Sequence, residues 1–154
     1  MSILFKDLAV LCEKIKSTTS KLEKISLLGN FLKDLDEEDL KISIKLLSGK
    51  IFPPWISKEL QIGYSTILST ISELSGETKR NILDLLIKKG DLGETAFIVF
   101  NKGKKLKPLI EKQFTLKEIY EKFEKISEHK GENSYYYKKS ILRELFLNSE
   151  PIEI

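Results

Sequence analysis

The stretch from Leu47 to Gly63 constrains the fold more than any other part of this chain. An apolar stripe ends at Gly49, a residue suited to the left-handed conformation past a helix C-terminus. Pro53 and Pro54 then bar any helix from continuing, because proline lacks an amide hydrogen and restricts the residue before it. The chain has to turn here. Phe52 and Trp55 are too large to leave in water without cost, so they are expected to pin the turn to the core. Gly63 precedes a new apolar periodicity, Ile67, Leu68, Ile71 and Leu74, which predicts a helix starting near Gly63. The first N–H groups of that helix lack partners within it and carry partial positive charge, which suits a phosphate oxygen.

Helical spacing extends over almost the whole sequence. Ile3, Leu4, Leu8, Leu11 and Ile15 mark a first helix, and Ser20 with Glu23 forms a capping box opening a second that carries Leu22, Ile25, Leu28, Leu32 and Leu35. Asp36 is placed to cap a third, ending at Gly49. Further helices are predicted from about Tyr64 to Ser75, stopped by Gly76, and from about Thr78 to Lys89, stopped by Gly90. Asp91 with Glu94 and Thr115 with Glu118 are two more capping boxes, and a last helix is predicted from about Ser134 to Asn148. No run alternates with period two over more than a few residues, so the fold class expected is all-α, with about eight or nine helices. There is no low-complexity segment and no tandem repeat.

A chain of 154 residues normally makes one domain and can bury about 68–70% of its unfolded surface, so 1–154 is expected to be a single helical domain. The 26 basic and 23 acidic residues leave only +3, so an anion-binding footprint has to come from where the charges sit. The lone Cys12, on the apolar stripe of the first helix, excludes an internal disulfide, suits a reducing compartment and is expected to be a small buried hydrophobe. No apolar run approaches the roughly 20 residues of a membrane helix and the start lacks a signal-peptide pattern, so a cytoplasmic location, nucleoid-associated in a prokaryote, is expected.

Catalytic chemistry finds little support. His129 is the one histidine, expected to be exposed near a helix C-terminus, so neither a multi-histidine metal site nor a nucleophile paired with histidine is indicated. No glycine-rich phosphate loop of nucleotide-binding enzymes occurs. A stand-alone enzyme would need a polar cleft with perturbed titratable groups.

Positive charge concentrates in two places. Residues 101–113 hold Lys102, Lys104, Lys105, Lys107 and Lys112 against Glu111 alone, with Gly103 and Pro108 arguing for a loop, either an arm over a polyanion or a solvated connection. The second is Gly131-Glu132-Asn133-Ser134-Tyr135-Tyr136-Tyr137-Lys138-Lys139. Ser134 or Asn133 can cap the last helix, and Lys138, Lys139 and Arg143 fall in its first turns, so backbone donors and cations are expected to converge on one anion site. Three consecutive tyrosines cannot share one helix face, so at least one is expected near the surface.

These motifs resemble the N-terminal DNA-binding domain of archaeal and eukaryotic ATP-dependent DNA ligases, where Leu-x-x-Gly-x-Ile-x-Pro-x-Trp is followed by Glu-Leu-Gly-Ile-Gly. Here the second part reads Glu59-Leu60-Gln61-Ile62-Gly63. Thr18-Thr19-Ser20-Lys21, Gly90-Asp91-Leu92-Gly93-Glu94-x-Ala96, and Thr115-Leu116-x-x-Ile119-Tyr120 leading to Gly131-Glu132-Asn133-Ser134-x-x-x-Lys138 follow in the family's order and cover nearly the whole chain. Where ligases have Gly-x-Gly-Ser this chain has Gly131-Glu132-Asn133-Ser134; asparagine tolerates the left-handed conformation, so the turn is expected to survive.

The resemblance implies a non-catalytic region that holds nicked duplex DNA by phosphate and minor-groove contacts for nick sealing in replication and repair. The expected contacts are Gly49 and Lys50, Gly63, Tyr64 and Ser65, and Gly131, Asn133, Ser134, Lys138 and Lys139, followed by Thr18, Ser20 and Lys21. It implies no cofactor in this chain, with ATP and Mg2+ used by the full ligase on a Lys-x-Asp-Gly lysine that is absent here. In the resembling archaeal ligases the 101–113 loop can hold a sliding-clamp contact, but the glutamine-plus-paired-aromatic pattern is missing, so a clamp carries little weight beside DNA as partner. The sequence ends at Ile154, about where the family's second glycine hairpin begins, as expected of a fragment or a naturally short relative. The alternative reading is a helical protein-interaction or adaptor module that has the fold without binding DNA; it predicts an exposed apolar patch beyond a few hundred Å2.

Overall fold

The computed structural model describes residues 2–102 and 106–154. Among them run eight α-helices, α1 (Phe5–Ser17), α2 (Lys21–Leu32), α3 (Glu37–Leu47), α4 (Tyr64–Ser75), α5 (Lys79–Lys89), α6 (Leu92–Lys102), α7 (Leu116–Glu128) and α8 (Ser134–Asn148), and one 3-10 turn, Pro151–Glu153. The fold is all-α: the β pairing among the described residues is an isolated antiparallel bridge, Leu4 with Thr115. Gly103, Lys104 and Lys105, part of the lysine-rich loop, lie outside the described residues.

The helix starts follow the capping chemistry read from the sequence. Asp36 accepts from the Asp39 N–H at 2.8 Å, Thr78 from the Asn81 N–H at 3.2 Å and Asp91 from the Glu94 N–H at 2.6 Å. At α7 both limbs of the capping box form, Glu118 N–H to Thr115 Oγ1 at 3.2 Å and Thr115 N–H to Glu118 Oε2 at 3.3 Å. At α2 only one limb forms. Ser20 Oγ accepts from the Glu23 N–H at 3.3 Å, while the Glu23 carboxylate accepts from the Thr18 hydroxyl at 2.6 Å, and Thr18 Oγ1 in turn accepts from the Ser20 N–H. Helix α3 ends as Gly49 predicts. Gly49 stands at φ 69°, its N–H donates to the Leu46 carbonyl, and the Lys50 N–H reaches back to the Lys45 carbonyl, a paired closure that satisfies the last carbonyls of the helix.

The chain divides into two compact units, residues 1–59 with 113–123, and residues 60–112 with 124–154. In the first, Leu8, Leu11, Ile42 and Leu116 are buried together, with Phe5, Ile15, Leu28 and Phe31 packed against them. The fully buried Asp39 carboxylate accepts from the Ser2 hydroxyl at 2.6 Å and the Ile3 N–H at 3.0 Å, fixing the start of the chain to α3. Phe5 N–H to Phe114 O and Leu116 N–H to Ile3 O, each 2.9 Å, close the bridge beside it. In the second unit Ile71, Leu74, Ile82, Ala96, Val99 and Phe100 form the core, and Phe146 closes it edge-to-face on Phe100 at 6.5 Å.

Three local expectations need correction. Trp55 is 82% exposed, not pinned to the core. The Ile56 N–H donates to the Pro53 carbonyl at 3.0 Å, closing a turn with Pro54 and Trp55 at its tip, and the anchoring falls to Phe52, whose ring meets Tyr120 at 6.3 Å. Cys12 is exposed, because Leu8, Leu11 and Ile15 define the inward face of α1 and Cys12 lies beside that face. His129 does follow the α7 C-terminus, but it is half-buried, with its ring stacked on Tyr137 and Nδ1 3.2 Å from the Lys125 carbonyl. Tyr135, Tyr136 and Tyr137 are all exposed, Tyr136 most of all.

Candidate functional site

In the second unit the sequence places two glycine-marked turns before two helices, and the side-chain pairings relate those helices to each other. Lys138 donates to the Leu60 carbonyl at 2.8 Å, Lys139 to Ser69 Oγ at 3.1 Å and to Glu73, and Arg143 lies 3.8 Å from the same Glu73. These pairings hold the early turns of α8 against α4 and the segment that leads into it.

Both starts are open. Gly63 precedes α4 in extended conformation, φ −81° and ψ 159°, and Asn133 precedes α8 at φ −93°; neither helix has a side-chain cap. Gly63, Tyr64, Ser65, Asn133, Tyr135 and Tyr136 are exposed there, and Ser134 is half-buried. Each helix start carries about half a positive charge, although the Ser134 N–H is already given to the Gly131 carbonyl at 3.1 Å. The left-handed residue of the turn before α8 is Gly131, at φ 103°. Asn133 is not left-handed, so its replacement of the family's second glycine needs no special tolerance. The strained position is Gln61, at φ 50°, where the ligase pattern has glycine.

The cations behave differently from the sequence expectation. Lys138 is only 5% exposed and is held by a backbone carbonyl next to the turn into α4. Lys139 and Arg143 share Glu73, and the lysine hydrogen bond pulls the Glu73 carboxyl below its usual range while raising the Lys139 ammonium above its own. At the two helix starts Tyr64, Ser65, Tyr135 and Tyr136 face solvent, and the exposed lysine nearest α8 is Lys130, in the turn before it.

The first unit holds the other candidates. Thr18 and Ser20 spend their hydroxyls on the start of α2, leaving Lys21 exposed. Gly49 and Lys50 are exposed at the close of α3. Beyond them Lys45 donates to the Tyr120 hydroxyl at 3.1 Å and lies 4.7 Å from its ring centre, Phe52 leans on the same ring, and Lys58 sits 5.9 Å from Phe52. Sequence reasoning missed this interleaving of lysines and aromatics. Its available signal was the absence of any Asp or Glu from Leu40 to Lys58.

Among the described residues no group of three or more His, Cys, Asp or Glu side chains is placed to hold a metal ion. The lowered carboxyls besides Glu73 are Asp36, Glu37 and Glu77, all fully exposed; Asp36 is lowered by the Asp39 N–H, Glu37 by Lys41 and Glu77 by Asn81. Asp36 and Glu37 are surface groups, whereas Glu77 and Asn81 line a shallow cavity of the second unit with Ser75, Leu85 and Lys102. No described helix is long and apolar enough to cross a membrane.

Comparison with known proteins places this geometry in context. Residues 4–154 match the family model described as DNA ligase N terminus. The chain is 33% identical over 149 residues to a DNA ligase of Thermococcus fumicolans, covering 97% of this chain and 26% of that protein. It is 31% identical over 155 residues to DNA ligase 2 of Methanosarcina acetivorans, covering 97% and 27%, and 35% identical over 152 residues to a DNA ligase of Nanoarchaeum equitans, covering 97% and 26%. The chain thus spans about a quarter of the length of these relatives, and corresponds to their N-terminal part.

Proposed function

Because the chain belongs to the DNA ligase N-terminus family, we propose that it is the non-catalytic DNA-binding region of an ATP-dependent DNA ligase, holding nicked duplex by its phosphates and minor groove while ATP and Mg2+ act elsewhere in the full enzyme. The observation that carries this reading is that α4 and α8, joined through Lys139, Arg143 and Glu73, both start without a side-chain cap, at Tyr64 and Ser134. Phosphate oxygens accept from such N–H groups regardless of base sequence, so recognition is of backbone rather than bases.

The test is fluorescence anisotropy of a labelled nicked duplex, and of its sealed twin, titrated with this chain at several salt concentrations. Binding is expected, with log K falling against log salt by about 0.9 per phosphate neutralised. Contacts made by neutral N–H groups release fewer counterions than lysines do, so the slope should stay shallow for the contact area. Absence of binding at low salt would overturn the reading and favour the adaptor alternative, for which exposed apolar side chains such as Leu22 and Ile25 on α2, Leu83 and Ile87 on α5, and Leu109 and Ile110 offer a surface.

A further inference from the structure

Trp55 is the one tryptophan of the chain, and it stands at the tip of a turn stiffened by Pro53 and Pro54 with most of its ring in solvent. An indole left outside a core costs hydration free energy, and a di-proline turn lowers the entropy lost when that indole is used. Ile56, its neighbour, is also exposed. Between Leu40 and Lys58 the sequence has Lys41, Lys45, Lys50 and Lys58 and no acidic residue, the next being Glu59. Lys41 is held by Glu37, but Lys45, Lys50 and Lys58 enter no ion pair among the described residues. Lys45 and Lys58 rest against Tyr120 and Phe52 instead.

An aromatic face flanked by unneutralised lysines is complementary to a nucleic-acid strand, whose phosphates pair with the cations and whose bases offer a stacking face. An apolar protein partner would be served by the indole but would leave those lysines uncompensated. An intact duplex keeps its base faces stacked on one another, a single strand leaves them accessible, and at a break the stack opens more easily because one backbone no longer holds it. Resting on the DNA-binding reading above, we propose that Trp55 stacks on a base exposed at a strand interruption, with Lys50 and Lys58 holding the phosphates beside it, so that this turn distinguishes broken from continuous DNA.

The single tryptophan makes the test direct. Its emission is followed while the chain is titrated with nicked duplex, sealed duplex and single strand of the same sequence, and anisotropy of the labelled DNA is read in parallel. Nicked duplex and single strand are expected to quench the emission and shield it from acrylamide, and sealed duplex to do so less. Trp55→Ala should weaken binding to nicked duplex by about tenfold, the scale of one lost base stack, with the salt slope unchanged, while Trp55→Phe retains part of the affinity. Because the indole lies outside the core, the far-UV circular dichroism and thermal midpoint of Trp55→Ala should match the parent. Binding by anisotropy with unchanged tryptophan emission, or equal affinity of Trp55→Ala for nicked duplex, would overturn the inference alone and point to a protein partner for the turn. No binding to any DNA would overturn the DNA-binding reading and this inference with it.

Discussion

Gly49 stands at φ 69° with open space where a Cβ would project, so the cost of replacing it is conformational rather than steric. Gly49→Ala is expected to lower stability by about 1–2 kcal/mol in urea unfolding. Gln61 presents the opposite case. It carries a side chain at φ 50°, and Gln61→Gly should raise stability by less than about 1 kcal/mol, because glycine's own entropy offsets part of the relief. Glu73 sets a pH dependence. Its folded carboxyl titrates below the ordinary value of 4.5, so its contribution is fully present above about pH 4.5 and is lost as pH falls through the lowered value. Lys139 is raised above 10.5, so its contribution is fully present below that pH and is lost as pH rises through the raised value. Glu73→Gln should flatten the acid limb of a thermal-midpoint profile, which the parent would show as a decline.

At the scale of the elements, α4 separates two effects that usually travel together. Ser65 lies in its uncapped first turn, and Ser65→Glu places a negative charge on the positive helix end. The substitution is expected to stabilise the protein by about 0.3–1 kcal/mol and at the same time to weaken DNA binding in the anisotropy assay; a side chain that served only stability would not move the two in opposite directions. How legible the elements were follows from how local their causes are. The limits of α4 and the start of α8 were readable because Gly63, Gly76 and Gly131 act on their own neighbours, although the side-chain cap expected of Asn133 or Ser134 does not form. Side-chain destinations were not readable in the same way. Trp55 looked like an anchor because its size is visible in a sequence, but the Ile56 to Pro53 hydrogen bond that turns it outward is not. Lys139 and Arg143 looked like free cations because Glu73, their partner, is far away in sequence.

For the whole molecule, the chain passes between its two units after Glu59, after Lys112 and after Phe123, the last of these inside α7. Because α7 is one continuous helix, urea unfolding followed by Trp55 emission is expected to coincide with that followed by far-UV circular dichroism. Glu124→Pro, which breaks the helix at about 3 kcal/mol or more, should separate the two curves. The uncapped starts of α4 and α8 carry a consequence of another kind. An anion that takes those N–H groups binds the folded chain and not the unfolded one, which makes the melting temperature a ligand sensor: sulfate, phosphate or DNA should raise it in proportion to the logarithm of their concentration above Kd.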